Sequence, residues 1–474
     1  MKFLHWIFVL IVIYSESTFA QYSWTQKSGI PYNSGRYSAA GFTVNDKAYL
    51  GLGVIAGGTR VYDFYEYNPV NDSWTQKSDY PGGGSLAATG FCINGKGYIC
   101  LGLGADGNNK ADLWEYNPVT DIWTQKTSFP GTARYGASCF VVDGIAYVGT
   151  GTYGNSNNYL FDLWAYDPLL DSWTQKASFP GNKRCHATAF SIGHFGFMGG
   201  GYSNSTTATK DFWKYTPSTN TWTACTDFPT TGRANLSSFV INNLGYVGLG
   251  YDFTTYHKNF FTYNPATNTW ASVTVNNSIP IRSSAVGFAI GNTGYFSTGY
   301  SPGGVLADLW SYGKPVSDLE GTITYDNITN SYLSGVTVKL MQGNTIVDSA
   351  LSDATGQYSF SAVPAGNYTI HCTSTTAWGG VNSTDAYMIL KHSTSLINLI
   401  GIRLKAGDVN LSVTVNAVDA LLCSKRFVNL ISSFAAGDWI FEDPEVVVTG
   451  GPVQTLNFKG LCVGDVNGSY TPPY

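Results

Sequence analysis

Charged residues are scarce in this chain, and their low number excludes some classes of protein. The 474 residues include 26 Lys and Arg and 31 Asp and Glu, so 12% are charged and the net charge is −5. Soluble proteins on average carry about 25% charged residues. Coiled coils and disordered chains are excluded, because both carry a larger charged fraction. No cluster of Lys and Arg occurs, so we expect no nucleic-acid partner.

Long apolar runs are also missing, apart from a short one at the start. The run from Leu4 to Tyr14 is too short to cross a bilayer comfortably. Thr18 and Ala20 match the small residues of a cleavage site. We therefore expect residues 1–20 to be a signal peptide and the mature chain to be secreted or at the cell surface, not membrane-spanning. An uncleaved N-terminal anchor is the alternative.

Aromatic residues (15%) and glycines (54) are abundant instead, and they fall into a repeat. Each unit has a Gly-rich segment, a turn such as Asn94-Gly95 between apolar runs, and an Asp or Asn before an aromatic pair. These signals predict four short strands per unit. The repeat is marked by tryptophans at intervals of 48 to 50 residues: Trp24, Trp74, Trp123, Trp173, Trp222 and Trp270.

The two ends of the repeat predict how it closes. Such sheets bury both faces only by stacking around an axis. The array begins with an isolated Trp24 strand and ends at Tyr312 with no Trp strand after it. Residues 22–27 should therefore supply the outer strand of the last sheet.

The pattern of a Gly-rich second strand, then Tyr, then Trp resembles the kelch repeat. The resemblance implies a six-bladed kelch-like β-propeller over residues 21–315, within a mainly β protein. One arginine recurs where the innermost strands begin, in five of six blades: Arg36, Arg134, Arg184, Arg233 and Arg282. They form either a basic rim for an acidic ligand or structural ion pairs with the repeated Asp. Blade two has Ser85 instead, which leaves Asp112 without an arginine.

Polar loops on the same face are candidate binding loops, although ordinary turns have a similar composition. These loops run from Ala105 to Lys110, Tyr153 to Asn158, Tyr202 to Lys210 and Tyr251 to Lys258.

Copper radical oxidases are kelch-like propellers that need two His, two Tyr and one Cys around the metal. The three propeller histidines, His186, His194 and His257, do not form such a set. We therefore expect no copper, and a non-catalytic role is favoured while enzyme activity stays open.

After the propeller, alternating apolar segments predict a small β-sandwich. The stretch from Ser352 to Ile370, with its Asp353-Ala-Thr-Gly356 turn, resembles Cna-B-like or prealbumin-like domains. The resemblance implies a sandwich over residues 316–372, which in such proteins serves as a stalk.

The last hundred residues contain a calcium-loop pattern. Oxygen-bearing side chains stand at loop positions one, three, five, seven, nine and twelve, followed by an apolar helix start. This resembles a type I dockerin repeat and implies a dockerin-like module over residues 373–474, with a C-terminal strand extension and a possible cohesin-like partner. A solvated turn is the alternative. The six residues are Asp408, Asn410, Ser412, Thr414, Asn416 and Asp419.

A second loop is split between two distant segments. Asn382 and Asp385 match its positions nine and twelve, but oxygen ligands are missing just before them. Asp465, Asn467 and Ser469 match positions one, three and five, with no helix after them. We predict one split calcium site from these five residues, or else an unused tail. Cys372 and Cys462 each precede one half, so they are the suggested disulfide.

Three function classes remain open. The first is a non-catalytic binding protein whose propeller takes a glycan or an extracellular protein. The second is a component of extracellular polysaccharide degradation, for which paired carboxylates at the propeller mouth would argue. The third is a structural adhesion protein without a small ligand.

Overall fold

The computed structural model describes residues 22–31, 35–154 and 158–472. The predicted signal peptide lies outside these residues. The chain divides into two compact units, Ser23–Gly313 and the part of the chain from Lys314 onward. Among the described residues, none of the helices has the length and apolarity needed to cross a membrane.

The first unit is a ring of six four-stranded antiparallel sheets, so the protein is mainly β and the first unit is a propeller. Blade one contains Ala40–Val44, Lys47–Gly51, Phe64–Asn68 and Ser73–Lys77; blade two contains Thr89–Ile93, Lys96–Cys100, Leu113–Asn117 and Ile122–Lys126. Blade three contains Ser138–Val142, Ile145–Gly149, Leu163–Asp167 and Ser172–Lys176; blade four contains Thr188–Ile192, Phe195–Gly199, Phe212–Thr216 and Thr221–Ala224. Blade five contains Ser237–Ile241, Leu244–Gly248, Phe260–Asn264 and Thr269–Val273; blade six contains Val286–Ile290, Thr293–Ser297, Leu309–Gly313 and Ser23–Lys27.

The N-terminal strand completes blade six. Ser23–Lys27 pairs with Leu309–Gly313, with Trp24 opposite Tyr312. The indole of Trp24 is 6% exposed and packs among the rings of Phe239, Phe260, Phe296 and Tyr312. The strand that precedes the first blade therefore closes the ring without a covalent link.

The repeated aromatic residues hold neighbouring blades together. The Trp123 indole donates to the carbonyl of Ser78 in the preceding blade at 3.0 Å. The carboxylate of Asp121 accepts from the Tyr116 hydroxyl at 2.7 Å and from the Ser78 amide at 3.0 Å. Close packing explains a glycine as well, since a Cβ at Gly97 would lie 2.0 Å from the ring of Phe42 in blade one. The Trp bond recurs from Trp74, Trp173, Trp222 and Trp270.

Short strands lie at the end of the propeller where the innermost strands begin, which we call the upper face. The hairpin turns between first and second strands lie at the opposite end. The short strands are Arg36–Tyr37 paired with Val54–Ile55, Ser85–Leu86 paired with Leu103–Gly104, and Tyr300–Ser301 paired with Gly304–Val305.

The second unit is built on two sheets that share one apolar core. The long strand Val316–Tyr325 pairs with segments far along the chain, including Phe458–Cys462 in parallel. One sheet contains Gln357–Pro364, Val316–Tyr325, Phe458–Cys462 and Trp439–Phe441, with Gln454–Thr455 also pairing to the long strand; the other contains Thr345–Leu351, Val336–Gln342, Gly366–Ser374 and Glu445–Val448.

Three helices follow the fifth strand of this unit: α1 (Ser383–Ser393), α2 (Gly401–Gly407) and α3 (Ala417–Phe427). The first and third pack on each other around Ile389 and Cys423. The sequence divides this region at residue 372. In the structure the segments on both sides of residue 372 form one compact unit, because strands after the helices return to both sheets.

Candidate functional site

The five recurring arginines lie inside the blades. Each is at most 2% exposed, and its guanidinium bonds to the first residue of the third-strand signature. The pair distances are 2.7 and 2.9 Å for Arg36–Asp63, 2.5 and 2.8 Å for Arg134–Asp162, 2.8 Å twice for Arg184–Asp211, 2.6 Å twice for Arg282–Asp308, and 2.9 Å for Arg233–Asn259.

These contacts make the arginines structural. A bidentate pair with a carboxylate uses both terminal nitrogens of the guanidinium. One of those nitrogens also donates to a backbone carbonyl, as Arg184 does to Gly200 at 2.9 Å. The alternative of a basic rim for an acidic ligand does not fit side chains that are buried and already paired. The ligand-binding role predicted for Arg36, Arg134, Arg184, Arg233 and Arg282 is thereby replaced by structural pairing.

The upper end of the central channel is closed by a ring of backbone hydrogen bonds, one residue per blade, which we call the central ring. Each amide donates to the carbonyl of its neighbour at 2.8 to 3.1 Å, and all six φ angles are between 51° and 62°. A cavity of about 130 Å³ lies against the ring. The central ring consists of Ser38, Ala87, Gly136, His186, Asn235 and Ser284.

Aromatic side chains beside the central ring form an almost continuous chain, the aromatic collar, of which His186 alone also lines the cavity. Neighbouring centroids lie 4.5 to 6.1 Å apart. Blade two interrupts the collar, because Leu86 stands where blades one and three have tyrosine. In order, the collar is Tyr37, Tyr300, Tyr256, Tyr251, Phe253, Tyr202, His186 and Tyr135.

Phe253 is held in the collar against its backbone preference. Its φ is +74°, a left-handed conformation that is rare for a bulky residue and concentrates at functional sites. The neighbouring Asp252 fixes the loop, since its carboxylate accepts from the amides of Thr254 and Thr255 at 3.0 and 2.7 Å and contacts the His257 ring at 2.9 Å. Burial opposes ionisation of Asp252, but these bonds outweigh it and hold its pKa well below the ordinary value.

The side chains that line the cavity are uncharged near neutral pH. Burial lowers the pKa of His186 to about 4 and raises that of Tyr202 to about 12. The Asn235 side chain donates to the Tyr202 hydroxyl at 3.4 Å. The collar therefore presents flat aromatic faces beside the Tyr202 hydroxyl and the Asn235 amide, an arrangement that suits a polar uncharged ligand.

Sequence reasoning found part of this site. The loops beginning at Tyr202 and Tyr251, which were candidates for binding, supply four collar residues, whereas residues 155–157 of another candidate loop lie outside the described residues. It did not find His186 as a central-ring residue. The available signal was its position two residues after the blade arginine, shared by Ser38, Gly136, Asn235 and Ser284, and matched by Ala87 two residues after Ser85.

The predicted loop from Asp408 to Asp419 folds around its first carboxylate. Asp408 accepts from the amides of Ser412 and Val413 at 2.9 and 2.7 Å. Asn416 caps α3 in a capping box with Asp419. Val413, at the position where such loops have glycine, adopts φ +70°, and the amide of Asn416 donates to Asp419 at 2.9 Å. The side chains of Asn410 and Thr414 bond within the loop.

The two halves of the split loop meet in the structure and repeat this arrangement. Asp465 accepts from the amides of Ser469 and Tyr470 at 3.0 and 3.1 Å. Asn382 caps α1 in a capping box with Asp385 and donates to the Ser469 hydroxyl at 3.1 Å. The amide of Asn467 donates to Asp385 at 3.0 Å, across 82 residues of sequence.

Both loops contain oxygen atoms that the described residues leave without partners. Oδ1 of Asp419 and Oδ1 of Asn467 are buried and accept no hydrogen bond. Burial raises the pKa of Asp385 to about 7, against backbone amides that lower it, and the charge of Asp465 adds to the rise. Burial likewise raises the pKa of Asp419. Carboxylate, amide and hydroxyl oxygens suit calcium, so the residues present fit that ion.

The suggested disulfide between Cys372 and Cys462 is wrong. Both thiols are free and buried, and the amide of Gly379 donates to Cys462 Sγ at 3.5 Å. The two cysteines lie on strands of different sheets. Burial raises the pKa of each thiol to about 12.

The propeller is similar to known proteins. The Kelch motif matches residues 133–180, which span blade three from its arginine onward. A solved structure described as "Structure of YjhT" is similar with a TM-score of 0.52 and 19% sequence identity, covering 60% of this chain and 96% of that chain. No curated protein matches this sequence. The likeness supports a kelch-type propeller fold.

Proposed function

We propose that this protein is a secreted or cell-surface binding protein whose propeller takes an uncharged glycan at the aromatic collar. The carrying observation is the chain of aromatic rings beside the central ring, whose cavity has an uncharged lining. Flat aromatic faces pack against the apolar C–H faces of sugar rings, while nearby amides and hydroxyls bond to sugar hydroxyls. An extracellular protein as the ligand remains the other outcome of the test below.

The charge distribution selects an uncharged ligand over an acidic one. The five blade arginines would attract an acidic sugar if they were free, but each is paired with an Asp or Asn of its own blade. The cavity lining has one titratable side chain, His186, whose pKa of about 4 leaves it neutral. Without a carboxylate in that lining, polysaccharide hydrolysis by an acid pair is not favoured.

The second unit contributes two calcium-stabilised loops in this proposal. Asp408, Asn410, Ser412, Asn416 and Asp419 would hold one ion. The split loop would hold another through Asn382, Asp385, Asp465, Asn467 and Ser469. Calcium would supply the positive charge that buried carboxylates lack, and it would join the C-terminus to α1. In this proposal the second unit is a Cna-B-like sandwich with a dockerin-like module. The module first holds the C-terminus against α1, and it also docks to a cohesin-like partner.

Glycan binding is tested with the full chain on an array of uncharged and acidic glycans. Phe253→Ala and Tyr202→Ala should each weaken binding by about 30-fold, the usual effect of truncating an aromatic anchor. Phe195→Ala is the matched control, because Phe195 is 36% exposed next to a hairpin at the opposite end of the propeller. Equal binding by all three variants, or preference for acidic glycans, contradicts the proposal.

Calcium binding is tested by titration calorimetry of the full chain, with two ions expected. Asn467→Ala should weaken one site about tenfold and leave the other unchanged. It should not destabilise the calcium-free protein, because the Asn467 side-chain oxygen has no partner to lose. Asn410→Ala is the matched variant in the other loop. No calcium uptake by the unaltered chain, or no effect of Asn467→Ala, would refute the assignment.

A further inference from the structure

Blade two lacks the arginine that fills the other five blades, and it leaves buried oxygen atoms in its place. Ser85 stands at the arginine position; it is 1% exposed, and its Oγ has no hydrogen-bond partner among the described residues. Asp112 keeps the carboxylate. Its Oδ2 accepts from the Trp114 indole at 2.7 Å, but its Oδ1 is buried without a partner.

The Tyr80 hydroxyl takes the place of one of the two terminal guanidinium nitrogens that blade two lacks. Blades three, four and five have phenylalanine at its position, and the Tyr80 hydroxyl reaches Asp112 Oδ2 at 3.5 Å. A Cβ on Gly82 would lie 2.7 Å from that hydroxyl, whereas a Cβ on the equivalent Gly181 would lie 2.6 Å from Nη2 of Arg184. The hydroxyl therefore occupies the place of Nη2.

The place of Nη1 has no such substitute. In each of the other blades Nη1 contacts the oxygen equivalent to Asp112 Oδ1 and the carbonyl sixteen residues after the arginine, as in Arg184 to Gly200. The equivalent carbonyl in blade two belongs to Leu101. A carboxylate oxygen, a carbonyl and a hydroxyl thus surround one position, and a buried carboxylate oxygen without a partner is costly.

We propose that blade two binds a small monovalent cation at this position, between Asp112 Oδ1, Ser85 Oγ and the Leu101 carbonyl. Oxygen donors of this kind suit alkali and ammonium ions, and one carboxylate balances one positive charge. The ion takes the place of the guanidinium nitrogen that the other blades supply covalently.

Crystals of the full chain grown with thallium(I) show whether an ion is present. An anomalous peak beside Asp112 is expected, and it should be absent in Tyr80→Phe/Ser85→Arg, which restores the Phe–Arg set of blade three. Asp79→Asn, an exposed charge in the same segment, should keep the peak. A water molecule without anomalous signal at this position overturns the proposal.

Thermal unfolding gives the test in solution, at equal ionic strength and constant calcium. The propeller of the unaltered chain should melt at least about 2 °C higher in sodium or potassium chloride than in tetramethylammonium chloride, whose cation is too large to enter. Both Asp112→Asn and Tyr80→Phe/Ser85→Arg should lose this difference, and Asp79→Asn should keep it. Equal melting of the unaltered chain in all three salts, or an unchanged difference in the arginine variant, also overturns the proposal.

Discussion

The propeller and the second unit are stabilised in opposite ways. The propeller repeats the same few contacts, such as the bond from Trp123 to the preceding blade, around its ring. The second unit depends on contacts that occur once and join distant residues. The Tyr325 hydroxyl donates to Asp465, 140 residues later, at 2.6 Å, and Asn382 meets Ser469 across 87 residues.

This difference teaches where each unit is vulnerable. In a repeat protein, stability is close to a sum over units and their interfaces, so the loss of one copy leaves the others in place. A single contact that joins two ends of a unit has no second copy. We therefore expect the loss of one comparable contact to destabilise the second unit more than the propeller. The following predictions test that expectation.

The largest effect is expected from Asp465→Ala. Asp465 is fully buried and accepts from the Tyr325 hydroxyl and the amides of Ser469 and Tyr470. The buried Tyr325 hydroxyl and two partly buried amides would lose their partner, which should lower the free energy of unfolding of the second unit by about 3–6 kcal/mol. Calorimetry should show that transition falling while the propeller transition stays. Asp348→Ala, at an exposed strand position, should stay within about 0.5 kcal/mol, and similar effects from both would refute the prediction.

Removing one blade arginine should be next in size. Arg184→Ala leaves Asp211 partly buried without its partner, which should cost about 3–5 kcal/mol but preserve the propeller fold through the other blades. Urea unfolding followed by tryptophan fluorescence measures the change. The control Lys210→Ala breaks an exposed pair with Asp227 and should cost about 0–1 kcal/mol. A propeller that no longer folds would show that the blades do not act independently.

Acid should weaken the propeller through His186. Its pKa is about 4 in the folded chain against 6.5 for the free side chain, so protonation favours the unfolded state. The contribution of His186 is present above pH 6.5 and is lost as pH falls toward 4. We expect a loss of about 2–3 kcal/mol over that interval. His186→Asn, which copies the residue of blade five, should reduce this pH dependence; an unchanged pH profile would contradict the assignment.

The smallest effect separates the closing strand from the other Trp strands. Trp123 donates to a carbonyl of the neighbouring blade, whereas Trp24 Nε1 has no acceptor among the described residues. Trp123→Phe should therefore cost about 1 kcal/mol more than Trp24→Phe, measured by urea unfolding of both variants. Equal costs would mean that the indole bond adds no stability beyond ring packing.

Sequence reasoning succeeded where contacts recur. The Trp period and the Asp signature predict the blades, because each repeated residue makes the same contact in every blade. The two half-motifs at Asn382 and Asp465 also predicted that these segments contact each other, and in the structure they do. It failed for Cys372 and Cys462, since proximity to the two halves says nothing about which sheet each cysteine joins.

The order of strands and the closing role of the Trp24 strand followed from the sequence by itself, because a repeated period forces equivalent environments. The tertiary structure alone decided three other features. It placed Tyr202, Phe253 and Tyr300 in one collar, buried the arginines away from any ligand, and left Asp112 Oδ1 unpartnered. These features depend on which loops converge at the channel and on how deeply a side chain lies. A linear pattern does not encode either, because both are set by the curvature of the ring.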